Sequence, residues 1–116
     1  MDSSSYTLLD FGNGKRLEQW GSFRLIRPDP TALCPIASPK LWMSADAEYE
    51  GEKGKGNWKI GSAVPADWTI ALDDLAMRVR LAPYKHTGIF PEQLSNWRWA
   101  RECAKKSGRL LSVLNL

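Results

Sequence analysis

The chain has 116 residues, 43% of them hydrophobic and 25% charged, the balance of one soluble globular domain and not of a disordered tail or a pair of ordinary domains. Sixteen Lys and Arg against thirteen Asp and Glu leave a net charge of +3, a bias towards anionic partners too modest to specify nucleic acid by itself. No apolar run has the length of a membrane span or the pattern of a signal peptide, so a cytoplasmic location with free thiols and no membrane partner is expected.

Tyr6 to Phe11 is predicted as a strand that ends at Gly12-Asn13-Gly14, residues that tolerate positive φ and permit a tight reversal. Lys15 to Trp20 alternates as a second strand, and Gly21-Ser22 makes the next turn. Phe23 to Arg27 alternates again until Pro28-Asp29-Pro30 stops it, proline lacking the donor a ladder needs. Three strands in a meander is the economical reading. Beyond Pro35 and Pro39, Leu41 to Tyr49 reads as a further strand carrying Trp42. Glu50 to Asn57 has no apolar residue and is expected to be a mobile surface loop. Order resumes at Trp58 to Ile60. Trp68 to Leu72 and Ala76 to Leu81 form two strands joined at Asp73-Asp74, with Met77, Val79 and Leu81 on one face and Arg78 and Arg80 on the other. Trp20, Trp42, Trp58 and Trp68 are expected in core or inter-sheet packing.

At Pro83 the period changes. Pro91 to Ser107 reads as a helix, with proline at its first position and Glu92 against the positive end of the dipole. Leu94, Trp97, Ala100 and Ala104 form its apolar stripe, and Lys105, Lys106 and Gly108 close it. Trp97 is expected in the core, whereas Trp99 points elsewhere. Leu110 to Leu116 is a near-continuous apolar run, the pattern of a strand buried on both faces of a parallel sheet. Such a strand needs neighbours and covering helices, so the chain is expected to be truncated within that sheet. No internal repeat is present.

The densest group of chemically able residues is Pro83-Tyr84-Lys85-His86-Thr87-Gly88-Ile89-Phe90-Pro91-Glu92-Gln93, which bridges a strand and a helix. Loops held in this way commonly carry function, and amides at a glycine turn entering a helix bind anions. A solvated pair is the plain alternative for Lys85 and His86. Cys34, Cys103 and the single histidine offer no metal-ligand spacing, and no metal is expected. Neither thiol has a base near it in sequence. Asp73-Asp74 is expected to be a turn.

The run Lys85 to Gln93, followed by Asn96-Trp97 and by Val113-Leu114-Asn115-Leu116, resembles the bacterial S-adenosylmethionine-dependent methyltransferases related to the large-subunit rRNA cytosine-5 methyltransferases. Leu8 to Gly14, Lys15 to Glu18 and Arg27 to Pro30 also fit, so the resemblance spans nearly the whole chain. It implies an α+β chain: a mainly antiparallel β domain over 1–82 on the substrate side, a pocket loop at 83–93, and over 91–116 a helix and the first strand of a truncated Rossmann-like methyltransferase domain. It implies S-adenosylmethionine as cofactor in the complete enzyme, RNA (rRNA) as substrate and the rest of the methyltransferase domain as partner. Catalytic residues are expected beyond Leu116, which leaves the chain inactive alone. Lys85, Thr87, Gly88, Phe90 and Gln93 are expected to form one wall of the cofactor or target-base pocket. Two other readings compete. One is a free-standing RNA-binding module with a basic face of Arg24, Arg27, Arg78 and Arg80. The other is a structural or oligomerisation domain, a homodimer paired through Leu110 to Leu116.

Overall fold

The structure is a computed structural model that describes residues 5–52 and 55–116. Asn13 and Gly14 take positive φ of 52° and 77°, the backbone that a two-residue reversal between right-twisted strands demands. They fold β1 (Tyr6–Gly12) back on β2 (Lys15–Trp20), with one irregularity between Leu8 and Asp10. The turn at Gly21-Ser22 pairs β2 with β3 (Phe23–Pro28) in unbroken antiparallel register. A crossover that includes the one-turn helix α1 (Pro39–Trp42) then returns the chain as β4 (Ala47–Glu52), parallel to β3 over Leu25↔Ala47 and Ile26↔Glu48. β5 (Lys55–Ile60) pairs antiparallel with β4 and completes a five-stranded sheet in sequential order. β6 (Asp67–Leu72) and β7 (Leu75–Arg80) form a separate two-stranded sheet, with Asp73 at φ 59° in their turn. A 3₁₀ turn at Pro91–Gln93 leads into α2 (Leu94–Ser107), which ends on Gly108 in the left-handed region.

The two sheets bury one core between them. Trp20, Leu25 and Ala47 of the large sheet meet Ile70, Leu72 and Val79 of the small one, and Ile89 joins them from the segment after β7. Trp68 donates its indole N–H to the Trp20 carbonyl at 2.9 Å and stands edge-on to Phe23, clamping the small sheet onto the β2–β3 hairpin. The crossover after β3 is held by Asp10. Its carboxylate accepts hydrogen bonds from the amides of Phe11, Ala37 and Ser38 and from the Trp42 indole at 2.8 Å. These donors, the indole foremost, keep its carboxyl below the usual aspartate range.

The chain is α+β, mostly antiparallel, with one long helix, as the sequence pattern implies. Four local expectations differ. Trp42 lies in α1, because Asp10 captures its indole and curls the crossover instead of extending it. Residues 50–52 and 55–57, expected to be a loop, belong to β4 and β5, with Lys53 and Gly54 outside the described residues. Gly51 and Gly56 face each other there, so close that a Cβ on Gly51 would lie 2.1 Å from the Lys55 carbonyl oxygen. Their missing side chains, not apolar burial, permit this pairing. Finally, residues 109–116 form no ladder, and Leu110, Val113, Leu114 and Leu116 are exposed. No residue of α2 is buried either; of its stripe, Trp97 packs against the core while Ala100 and Ala104 face solvent.

Candidate functional site

Side chains alternate across a strand, so Arg16, Glu18 and Trp20 share one face of β2 and stand opposite Arg27, Leu25 and Phe23 of β3. That face runs from apolar at the Trp20 end to charged at the Arg16 end. Glu18 is fully buried. It accepts from Arg27 Nε at 2.5 Å and Nη2 at 2.8 Å, and from the Tyr6 hydroxyl at 2.5 Å. Burial first, and then the Glu18 charge, push the Tyr6 phenol far above its ordinary value, so it stays a neutral donor. The Arg27 guanidinium also lies 5.4 Å over the Trp20 ring. Arg16 reaches out from the cluster to Asp29 at 3.1 Å.

The segment 83–93 crosses the charged end of this face and is tied down mainly through its carbonyls. Trp58 donates its indole N–H to Tyr84 at 2.9 Å, Arg27 Nη1 donates to Lys85 at 3.1 Å, and the Arg80 amide donates to Thr87 at 3.3 Å. Ile89 anchors the segment in the core. The result is a cleft of about 70 Å³ lined by Arg16, Arg27, Lys85, His86, Phe90 and Glu92. His86 packs against Phe90 with ring centroids 5.2 Å apart. Burial, then the charges of Arg27 and Lys85, hold the imidazole below its usual pKa while Glu92 opposes them, so it is neutral at pH 7.

The five residues expected on one pocket wall do not converge. Lys85 and Phe90 line the cleft. Thr87 is buried, with no partner for its hydroxyl among the described residues. Gly88 sits at φ +92°, a turn conformation beside open space. Gln93 accepts a hydrogen bond from Asn96 and lines a different feature, an open groove of about 520 Å³ beside α2 with Trp97, Trp99, Val113 and Leu114. The expected basic face also divides. Arg24 and Arg27 are three residues apart on β3 and so face opposite ways. Arg24 bonds Gln19 and Ser44, and Arg27 is buried against Glu18. Arg78 and Arg80 are exposed on the small sheet, Arg80 with Asp67 at 3.5 Å.

Arg16 and Glu18 were not among the residues expected at a site. Their signal was the turn: a two-residue reversal at 21–22 fixes the register that sets Arg16 against Arg27 and Glu18 against Leu25. Among the described residues no group of three His, Cys, Asp or Glu can hold a metal, Cys34 and Cys103 are free and exposed, and no helix is long and apolar enough to cross a membrane.

No protein-family model matches the chain, and no curated protein is significantly similar to it. Similar chains occur among solved structures. A SAM-dependent methyltransferase from Agrobacterium tumefaciens is 35% identical over 97% of this chain, with a TM-score of 0.90. A protein from Streptococcus mutans provisionally termed a SAM-dependent methyltransferase is 15% identical over 83% of the chain, with a TM-score of 0.54, a likeness of fold alone. This chain spans 36% of the first structure and 29% of the second, so it has the fold of about a third of these proteins.

Proposed function

We propose that this chain is the substrate-side portion of an S-adenosylmethionine-dependent methyltransferase acting on RNA, with rRNA as the expected substrate. The observation that carries the reading is the 35% identity and TM-score of 0.90, sustained over 97% of the chain, to a SAM-dependent methyltransferase. In this reading the β domain presents substrate, and 109–116 pairs into a cofactor-binding sheet. The backbone of 109–116 joins no ladder among the described residues, and this and the exposed apolar side chains of Leu110, Val113, Leu114 and Leu116 suit that role.

The cofactor tests the two concave features differently. A cleft of about 70 Å³ falls well short of the roughly 300–1,000 Å³ of sites that enclose drug-sized ligands. The groove of about 520 Å³ fits better, because the indoles of Trp97 and Trp99 offer planar apolar surface and Gln93, Asn96 and Asn115 offer amides at the same opening. S-adenosylmethionine supplies an activated methyl group when bound; this chain's own residues would hold its adenine and exclude water.

A chimera tests the reading. This chain replaces the matching third of the Agrobacterium protein, and binding of S-adenosylmethionine is measured by calorimetry, with circular dichroism as a check on folding. A folded chimera is expected to bind the cofactor and to lose about tenfold or more in affinity when Trp99, exposed in the groove, becomes Ala, a stacking loss of the usual size. The chain alone is expected to transfer no methyl group to rRNA. A folded chimera without cofactor affinity, or transfer by the chain alone, contradicts the proposal.

A further inference from the structure

We propose that the cleft between β2, β3 and the segment 83–93 is an oxyanion site that takes one phosphate group, held by Lys85 and by the outer N–H groups of Arg27, with Arg16 at its rim. The donors left over within the cleft point to this. A guanidinium carries five N–H groups. Three of Arg27's are taken, two by Glu18 and one by the Lys85 carbonyl, so two have no acceptor among the described residues. Yet Arg27 is 93% buried and lines the cleft. Each Arg27 nitrogen already has one partner, and the second N–H of Nη1 and of Nη2 is the spare capacity, of the charge-assisted kind that favours an oxyanion.

The neighbouring groups fit the same ligand. Lys85 is half-buried at the cleft and forms no ion pair among the described residues, which leaves its charge free for an anion. Arg16 adds a second guanidinium, already shared with Asp29. Glu92 also lines the cleft and opposes an anion. Glu18 does not line it, but its buried carboxylate already neutralises Arg27, so Arg27 supplies donors while Lys85 supplies the positive charge left unpaired among the described residues. The volume of about 70 Å³ suits a tetrahedral oxyanion and excludes a nucleoside. Phe90, about half exposed beside His86, leaves an aromatic face at the mouth where the group carrying the phosphate would lie. The inference deepens the RNA reading above, since a strand supplies phosphates next to planar bases, but it stands on the cleft's own donors.

The test follows the His86 ring resonances of the full chain by NMR at constant ionic strength, with inorganic phosphate as probe and chloride as control. Phosphate is expected to shift them saturably in the millimolar range. Lys85→Gln should weaken binding about tenfold, the loss expected for a hydrogen bond to a charged group, and Lys85→Arg should restore most of it. Absence of a saturable shift in the unmodified chain, or an equal shift with chloride, overturns the site. Competition by a dinucleoside phosphodiester identifies a nucleic-acid strand as the source. Competition by a nucleoside 5′-monophosphate alone leaves the oxyanion site standing and removes its support for the RNA reading. Failure with phosphate leaves the cofactor reading intact, because the chimera measures that independently.

Discussion

Glu18 and Arg27 are a buried ion pair, and its behaviour on mutation is asymmetric. Removing one partner leaves an uncompensated charge in the interior, whereas removing both leaves only a packing problem. Glu18→Ala is therefore expected to lower unfolding free energy by about 3–5 kcal/mol, read from the urea midpoint at constant slope. The double variant Glu18→Met/Arg27→Met is expected to recover most of that loss. A double variant no more stable than the single one would show that the pair does not act as a unit. Asp10 supplies a pH dependence with a definite sign. Its folded pKa lies below the ordinary 3.8, so the stability it contributes is fully present above that value and is lost as pH falls through the folded pKa. His86, also lowered, from 6.5, acts in the same direction at higher pH: stability declines as pH falls below 6.5 and levels off under its folded pKa. Melting curves of the unmodified chain and of Asp10→Asn between pH 7 and pH 2 should converge at the acid end. Curves that remain parallel throughout would remove Asp10 from the acid limb.

Two elements rest on features that hydrophobicity does not report. The β4–β5 pair depends on Gly51 and Gly56, where any Cβ would meet backbone at 2.6 Å or less. Gly51→Ala is expected to open this pair, with loss of amide protection at Glu50 and Asn57, while the β1–β3 meander keeps its own. Helix α2, which buries no residue, is tied to the β6–β7 turn by Arg98 to Asp73 and by Arg101 bidentate to Asp74, all at 3.1 Å. Exposed pairs contribute little to global stability. Asp73→Asn/Asp74→Asn should accordingly leave the melting temperature nearly unchanged yet speed hydrogen exchange across α2. An unchanged exchange rate would show that Trp97 alone holds the helix.

The exposed segment 109–116 separates stability from association. Its large side chains carry accessibilities from 39% at Leu111 to 107% at Leu116, so they bury too little surface to stabilise the sheets. Deleting residues 110–116 is expected to leave the unfolding midpoint in place and to abolish concentration-dependent self-association in analytical ultracentrifugation. Such surface on a free chain invites pairing with a second copy. A fall in the midpoint on deletion would mean that the segment packs internally. The candidate cofactor groove borders this same surface, so the deletion also removes Val113, Leu114 and Asn115 from it.

Local chemistry made the hairpins legible. Asn13-Gly14, Gly21-Ser22 and Asp73-Asp74 each stand at the centre of a two-residue reversal, and period-two alternation placed Val79 inward and Arg78 and Arg80 outward. Helix α2 was visible from Pro91, its basic last turn and Gly108. The site was only half visible. Lys85 and Phe90 could be singled out by residue type, but their partners Arg16 and Arg27 lie nearly 60 residues or more away in the chain, and Arg27 read as a surface cation. Its burial follows from Glu18, which meets it only once β2 and β3 pair and the segment 83–93 closes over them. Turns and alternation are fixed by neighbouring residues, and one stretch of chain can show them. Which charges are desolvated, paired or left with spare donors depends on surfaces that distant strands bring together, and only the folded arrangement decides it.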